Sequence, residues 1–254
     1  MTASVVATGY SEERAPLLRW LVFTGFCVFG FALLWRYGLF RLMLASDKTD
    51  ISLIIALLYL ATTLHCLWRT NVISKELDAA RRIEAIVSAG PRTLTVAGRN
   101  VVADGGDRLP PGAVTDHIRN LVLKAGLQGD RRLDQTLLLR SLADTLRGPN
   151  MLGSFASDSL MKLGLLGTIV GFILMLAPIA GLDAANQGAL RSSMSLMSDG
   201  MAVAMYTTLS GLVGSILVKI QYNMLDSATA KLFSLATSIT EVFVVSVLER
   251  DRHG

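Results

Sequence analysis

The chain has 254 residues, 52% of them hydrophobic, with a mean hydropathy of +0.49 and a formal net charge of +4. A soluble domain of this length is less apolar and more charged, so the composition excludes an ordinary soluble protein and points to membrane helices. The small positive charge lies mostly beside apolar runs, without interleaved aromatics, which excludes a nucleic-acid binder.

Four apolar stretches approach the roughly 20 residues that a bilayer-spanning helix needs. The first, Trp20 to Trp35, is uncharged, and its apolar character continues past Arg36 and Arg41 to Leu44. A cleaved signal peptide is the competing reading of this stretch. It has no clear small-residue cleavage site, and Arg36 follows the apolar run directly, so an anchor over 17–44 is expected after a polar lead over 1–16. A short turn around Ser46-Asp47-Lys48-Thr49-Asp50 leads to the second stretch, Ile51 to Trp68, expected to span over 51–68. Trp20, Trp35 and Trp68 stand at span ends, where aromatic belts form. Cys27 and Cys66 lie inside these spans at no metal-ligand spacing and read as packing residues. His65 near the end of the second span is read as an interfacial packing residue, with a proton relay as the competing role.

A polar segment over 69–159 follows. Asn71 to Ser88 carries apolar residues at Ile73, Leu77, Ala80, Ile83 and Ile86 or Val87, close to a helical period. Ala89-Gly90-Pro91 ends it. Thr93 to Ala103 has short β-branched runs around Gly98-Arg99-Asn100, consistent with a hairpin or an irregular loop. Asp104-Gly105-Gly106-Asp107 is turn material. Pro110 and Pro111 can open a helix extending through Val114 to Leu127. A further helix is expected over Arg131 to Leu146, and Gly148-Pro149-Asn150 breaks the chain.

The third stretch, Leu163 to Leu182, and the fourth, Met201 to Val218, are both uncharged. They are expected to span over 160–182 and 201–220, joined by an outer, periplasmic loop over 183–200. Lys162 is expected to snorkel to the inner interface. Pro178 is read as a kink near the outer end of the third span. Asp199, with Ser198 before it, is read as a cap for the fourth. The tail over 221–254 has no Gly or Pro from Tyr222 to Leu248, so the fourth span is expected to continue as one long helix. Val242 to Val245 then needs a partner surface, with the 71–88 helix the expected one. Arg69, Lys75, Arg81 and Arg82 against only Arg191 in the 183–200 loop place the termini and the long segment in the cytoplasm. Arg36, Arg41 and Lys48 oppose this orientation. The expected fold is therefore an all-α membrane protein. It has four transmembrane helices, a mainly helical cytoplasmic segment between helices 2 and 3, and a helical C-terminal tail.

Residues spaced i, i+4, i+7 and i+11 share a helix face. In the third span this face collects Gly164, Thr168, Gly171 and Met175. In the fourth it collects Gly200, Ala204, Thr208, Gly211 and Ser215. Small residues at that spacing let helices pack closely in lipid, and a hydroxyl at pore depth points to an ion path. A threonine that only bonds its own i−4 carbonyl is the competing reading. From the apolar inner ends, Thr168 is expected about 8 Å in and Thr208 roughly 15 Å in, at staggered heights. Neither span contains Asp or Glu, so a titrating carboxylate would come from another chain.

The run Gly164-Leu165-Leu166-Gly167-Thr168-Ile169-Val170-Gly171 resembles the third-helix motif of the MotA/TolQ/ExbB proton-channel family. The run from Asp199 to Leu212 is similar to that family's G-I-A-x-A-L-x-x-T-x-x-G-L pattern, and Tyr222-Asn223 matches a pair common just past that helix. The resemblance covers roughly 158–225. It implies an inner-membrane motor subunit, a homopentamer around two copies of a MotB-, TolR- or ExbD-like partner. That partner has one transmembrane helix bearing an aspartate. Ions crossing by way of the aspartate would drive rotation. Thr168 and Thr208 align with the family's pore threonines; Thr207, Gly164 and Gly211 would shape the site, with Gly167, Gly171 and Ala204 packing the helices. Two N-terminal spans resemble MotA, whereas Thr168 resembles TolQ and ExbB, so the branch is unassigned. The ion is a proton or sodium, and no cofactor is expected. No nucleophile–base pair, phosphate loop or metal cluster stands out, so the chain does not read as an enzyme. A structural membrane scaffold and a passive ion channel are the rival readings.

Overall fold

The computed structural model describes residues 15–38, 50–89, 93–98, 100–103, 107–128, 133–178 and 187–253. In chain order these form α1 (Ala15–Arg36), α2 (Ile51–Ser88), β1 (Leu94–Ala97), β2 (Asn100–Ala103), α3 (Ala113–Gln128) and α4 (Thr136–Arg147). A 3₁₀ turn over Gly148–Asn150 leads to α5 (Met151–Leu176), then α6 (Gln187–Ile239), a π-helical turn over Thr240–Val244 and α7 (Val245–His253). Helical stretches long and apolar enough to cross a membrane lie within Ile51–Ser88, Thr136–Leu176 and Leu190–Glu249. A shorter apolar helical stretch covers Trp20–Leu33. The continuation of the first apolar run through 39–44 lies outside the described residues, as does the turn over 46–49.

Several boundaries differ from the expectations. The 51–68 span and the 71–88 helix are one uninterrupted helix, because no Gly or Pro separates them. The segment expected as a loop over 183–200 is helical from Gln187, so Asp199 sits within α6 and does not cap it. Pro178 stands just past the end of α5 at Leu176, where it stops the helix and does not kink it. The helix expected from Arg131 begins at Thr136, where the Asp134 carboxylate accepts both the Thr136 N–H (2.9 Å) and its hydroxyl (2.6 Å). That local bond competes with an earlier helical start.

The chain divides into two compact units. The first takes in 68–151 and 224–254. Its core contains the apolar stripe Ile73, Leu77, Ala80, Ile83 and Val87 of α2, with Val87 buried and Ile86 half-buried. Val114, Ile118 and Leu121 of α3 and Leu225, Leu232, Ala236 and Ile239 of α6 are also buried. The Thr93–Ala103 stretch is a hairpin, pairing Leu94 with Ala103 and Ala97 with Asn100. Gly98, at φ +65°, opens its two-residue turn, where a Cβ would be strained. In the tail, Val244 is buried and Val242 exposed, while α7 contacts α3. The Glu241 carboxylate accepts a hydrogen bond from Gln135.

The second unit comprises 20–67 and 152–223. Large apolar side chains are exposed along α1 (Phe26, Phe29) and α5 (Leu165, Ile169, Phe172), as helices facing lipid or other helices require. Cys27 and Cys66 are buried and form no disulfide with each other.

Within the first unit, Glu76 on α2 accepts the Ala113 N–H at 2.9 Å, satisfying one open donor at the start of α3. Burial pushes the Glu76 carboxyl above its ordinary value of 4.5; the Ala113 N–H opposes the rise, nearby Asp116 adds to it and Arg69 opposes it. A carboxyl raised on folding stabilises the fold when protonated, and that contribution is lost as pH rises through the folded value. Glu76→Gln keeps an acceptor for Ala113 without the buried charge. It is expected to melt higher than the wild type at neutral pH, with the gap closing as pH falls toward 4.5. Thermal melts across that range check this.

Candidate functional site

The seam between α5 and α6 is built from small residues. A Cβ on Gly211 would lie 2.6 Å from the Leu160 carbonyl oxygen and 2.7 Å from Gly164 Cα. One on Gly164 would lie 3.1 Å from Gly211 Cα. One on Gly171 would meet the Ala204 backbone nitrogen at 2.5 Å, and one on Gly200 the Met175 nitrogen at 2.5 Å. The contacts climb α5 as they descend α6, so the helices run antiparallel with their backbones nearly touching. Gly164, Gly167, Gly171, Gly211 and Ala204 all lie along this contact. Gly200 and Met175, placed on the two faces by spacing, meet across it.

The three threonines divide in role. Thr207 is fully buried, with its side chain in the space beside Gly167 and its hydroxyl donating to the Val203 carbonyl at 2.8 Å. Thr168 and Thr208 stand at the edge of the seam, half-buried and exposed, with their hydroxyls hydrogen-bonded to each other. Thr208 also donates to the Ala204 carbonyl at 2.9 Å and reaches the Gly164 carbonyl at 3.2 Å; Thr168 reaches the same Gly164 oxygen at 3.2 Å. Each hydroxyl therefore has the local i−4 acceptor of the competing reading and a partner on the facing helix as well.

The staggered heights expected for Thr168 and Thr208 are overturned: the two are level. The expectation measured each depth from the inner end of its apolar run. The α5 helix begins at Met151, and its first turns already pair with α6: Ser157 Oγ lies 2.9 Å from Ser215 Oγ, and Gly153 makes room for the Tyr222 ring. Leu163 is thus no end of the helix pair, and depths counted from it do not compare.

Ser157, Gly153 and Tyr222 were not among the expected site residues. Thr208, Ser215 and Tyr222 recur every seven residues, and this spacing was available as a signal. His65 Nδ1 lies 2.8 Å from the Tyr222 hydroxyl, with the rings stacked. No Asp or Glu lies in Leu163–Leu182 or Met201–Val218, and Asp158 and Asp199, the nearest in sequence, are exposed. Among the described residues, no group of His, Cys, Asp and Glu could hold a metal ion. The site can offer hydroxyl donors and acceptors to a passing ion or carboxyl group, and no charge of its own.

Residues 115–237 match the model of the MotA/TolQ/ExbB proton channel family. The matched region begins at the first turn of α3 and takes in α4, α5 and nearly all of α6, further than the 158–225 resemblance. It leaves α1, α2 and the hairpin outside. Together with the apolar helices, the match supports a multi-pass membrane protein similar to a channel family. Nothing among curated proteins or solved structures matches the chain.

Gly211→Ala places its Cβ against backbone that cannot yield, and overpacking of this kind costs about 1–3 kcal/mol. Gly214→Ala meets only Leu160 and Tyr59 side-chain atoms at 3.7 Å or more. The first substitution is expected to lower the melting temperature in detergent and the second to leave it unchanged; equal effects would contradict this seam.

Proposed function

We propose that this chain is the pore-forming subunit of an ion-driven motor of the bacterial inner membrane. Five copies surround two copies of a single-span MotB-, TolR- or ExbD-like partner. Four spans place both termini, the 69–159 segment and the 221–254 tail in the cytoplasm. The observation that carries the reading is the hydroxyl pair of Thr168 and Thr208, open at the edge of a glycine seam in a region of proton-channel family sequence. A neutral hydroxyl pair needs a titrating group to act on, and members of this family work with a single-span partner. Here that partner brings the aspartate.

Protonation of the aspartate lowers the cost of moving it along an apolar lining. Thr168 and Thr208 then exchange hydrogen bonds with the carboxyl as it passes, and Thr207 with Gly164, Gly167, Gly171, Ala204 and Gly211 holds the two hydroxyls in register. The translocated ion is a proton, with sodium as the alternative. Flow through successive subunits turns one ring against the other. The scaffold and passive-channel readings require no partner aspartate.

Thr208→Val keeps the volume and removes the hydroxyl. It is expected to preserve the mass of the native complex while abolishing ion flux that depends on the partner's aspartate. Native mass spectrometry of complexes taken from membranes is expected to give five copies with two of the partner. A homo-oligomer without a partner would favour the scaffold, and undiminished flux in the variant would remove Thr208 from the mechanism.

A further inference from the structure

The stripe that carries Thr208 continues along α6. Thr208, Ser215 and Tyr222 lie seven residues apart, so they share one face with steps of roughly 10 Å. Each meets a polar side chain on a neighbouring helix: Thr168 and Ser157 on α5, and His65 on α2. The last of these rungs differs in chemistry. Threonine and serine hydroxyls do not take up or lose protons near neutral pH, whereas an imidazole does. Of the three histidines in the chain, only His65 lies in the second unit. An ionisable side chain within a span points to a functional site.

Tyr222 fixes how the His65 ring is held. Its hydroxyl lies 2.8 Å from His65 Nδ1, and the two rings are stacked. Tyr222 is itself buried and seated in the space that Gly153 leaves on α5. His65 is half-buried, so its ring is reachable from the helix surface. Around it, Cys66 is buried on α2, while Asp158 on α5 and Lys219 on α6 are exposed. Arg69, further along α2, donates to the Leu146 carbonyl at 3.0 Å. Packing alone would need only a partner for the Tyr222 hydroxyl, which a glutamine supplies as well as a histidine.

We propose that His65, held by Tyr222, is a proton-carrying group of the ion path at the inner end of this stripe, which makes the translocated ion a proton. The proposal rests on the proton-channel reading and the orientation given above. His65 Nδ1–H donates to the Tyr222 oxygen, so the neutral ring is basic at Nε2. Nε2 takes a proton that leaves the threonine pair, and the ring becomes an imidazolium with Nδ1–H still bonded to Tyr222. Nε2 then releases that proton to water on the cytoplasmic side, and the neutral ring is restored. The rungs are too far apart for direct transfer, so water carries the proton between them. Tyr222 is the positioning residue, setting the tautomer and the orientation of the ring. His65 lies outside residues 115–237, so the carrier belongs to this chain's second helix and not to the family-matched region.

The test uses the native complex with its partner, reconstituted in liposomes that contain a pH-sensitive dye. Proton flux under a potassium diffusion potential is measured from about pH 5 to about pH 8, the range in which an imidazole titrates. Wild type, His65→Gln and Tyr222→Phe are compared. Wild-type flux is expected to titrate with a midpoint inside that range. His65→Gln keeps a partner for Tyr222 and removes the titrating ring. It is expected to lower flux about a hundredfold and to lose the midpoint, with an unchanged melting temperature. Tyr222→Phe keeps the stacked ring and is expected to lower flux about tenfold, the worth of roughly one hydrogen bond, with a shifted midpoint. A wild-type rate or a persisting midpoint in His65→Gln overturns the proposal and leaves the channel reading intact. A parallel loss of flux and melting temperature in both variants marks a packing pair and overturns it too. So does a wild-type flux that requires sodium. Wild-type liposomes without flux of either ion overturn the channel reading, and the proton carrier with it.

Discussion

The backbone contact between Gly164 and Gly211 is the constraint from which the site follows. Lipid gives two apolar helices little hydrophobic reason to associate, so close packing must hold them. The glycines allow that approach, and the approach settles the fate of each threonine. With the helices this close, Thr207 fits into the space left by Gly167 and is fully buried. Thr208 is one residue on, roughly 100° around the helix. It therefore lands at the edge of the seam, level with Thr168. A wider seam would leave room for either hydroxyl to turn inward, and the exposed pair would not be specified.

The same contact repeats in a different chemistry toward the Tyr222 end. There the seam widens enough to admit a tyrosine ring, and Gly153 supplies the space. Between the two ends, Ser157 donates to the Ser215 carbonyl at 3.1 Å and meets its hydroxyl. Several hydroxyls on α5 and α6 also bond a carbonyl one turn back, as Thr207 and Ser210 do. A hydroxyl with a local acceptor can stay in an apolar helix without a fixed partner. Its remaining lone pairs are then available to something that comes and goes, a property that a side chain locked into a single pair lacks.

What the sequence made legible was periodicity: the apolar runs, the stripe from Ile73 through Ile83, and the small-residue faces on both helices of the seam. These depend on spacing within one helix, which a chain displays directly. Relations between helices were not legible. The level of Thr168 against Thr208 depends on where α5 starts, and Met151 to Lys162 is a helical run too polar at places to be counted as part of the span. Asp199 looked like a cap because charge and serine precede an apolar run, yet the helix was already formed from Gln187. The choice of Thr207 as the buried threonine needed the partner glycine, forty residues away. The π-helical turn at Thr240–Val244 has no Gly or Pro to announce it.

A site with hydroxyls and no carboxylate has an electrostatic logic under the proposed function. An ionised carboxylate on α5 or α6 would be held in place by the glycine seam, and its desolvation would weaken the tight packing that defines the site. Carried by a separate chain, the charge can move relative to the hydroxyls while the seam stays closed. The cost of burying it is then met only when a proton is bound, so movement past the apolar lining is coupled to protonation. Neutral, rigidly placed hydroxyls are suited to this task. They stabilise a carboxyl by hydrogen bonding in either protonation state, and they leave the difference between the two states, which drives the motion, to the apolar surface around them.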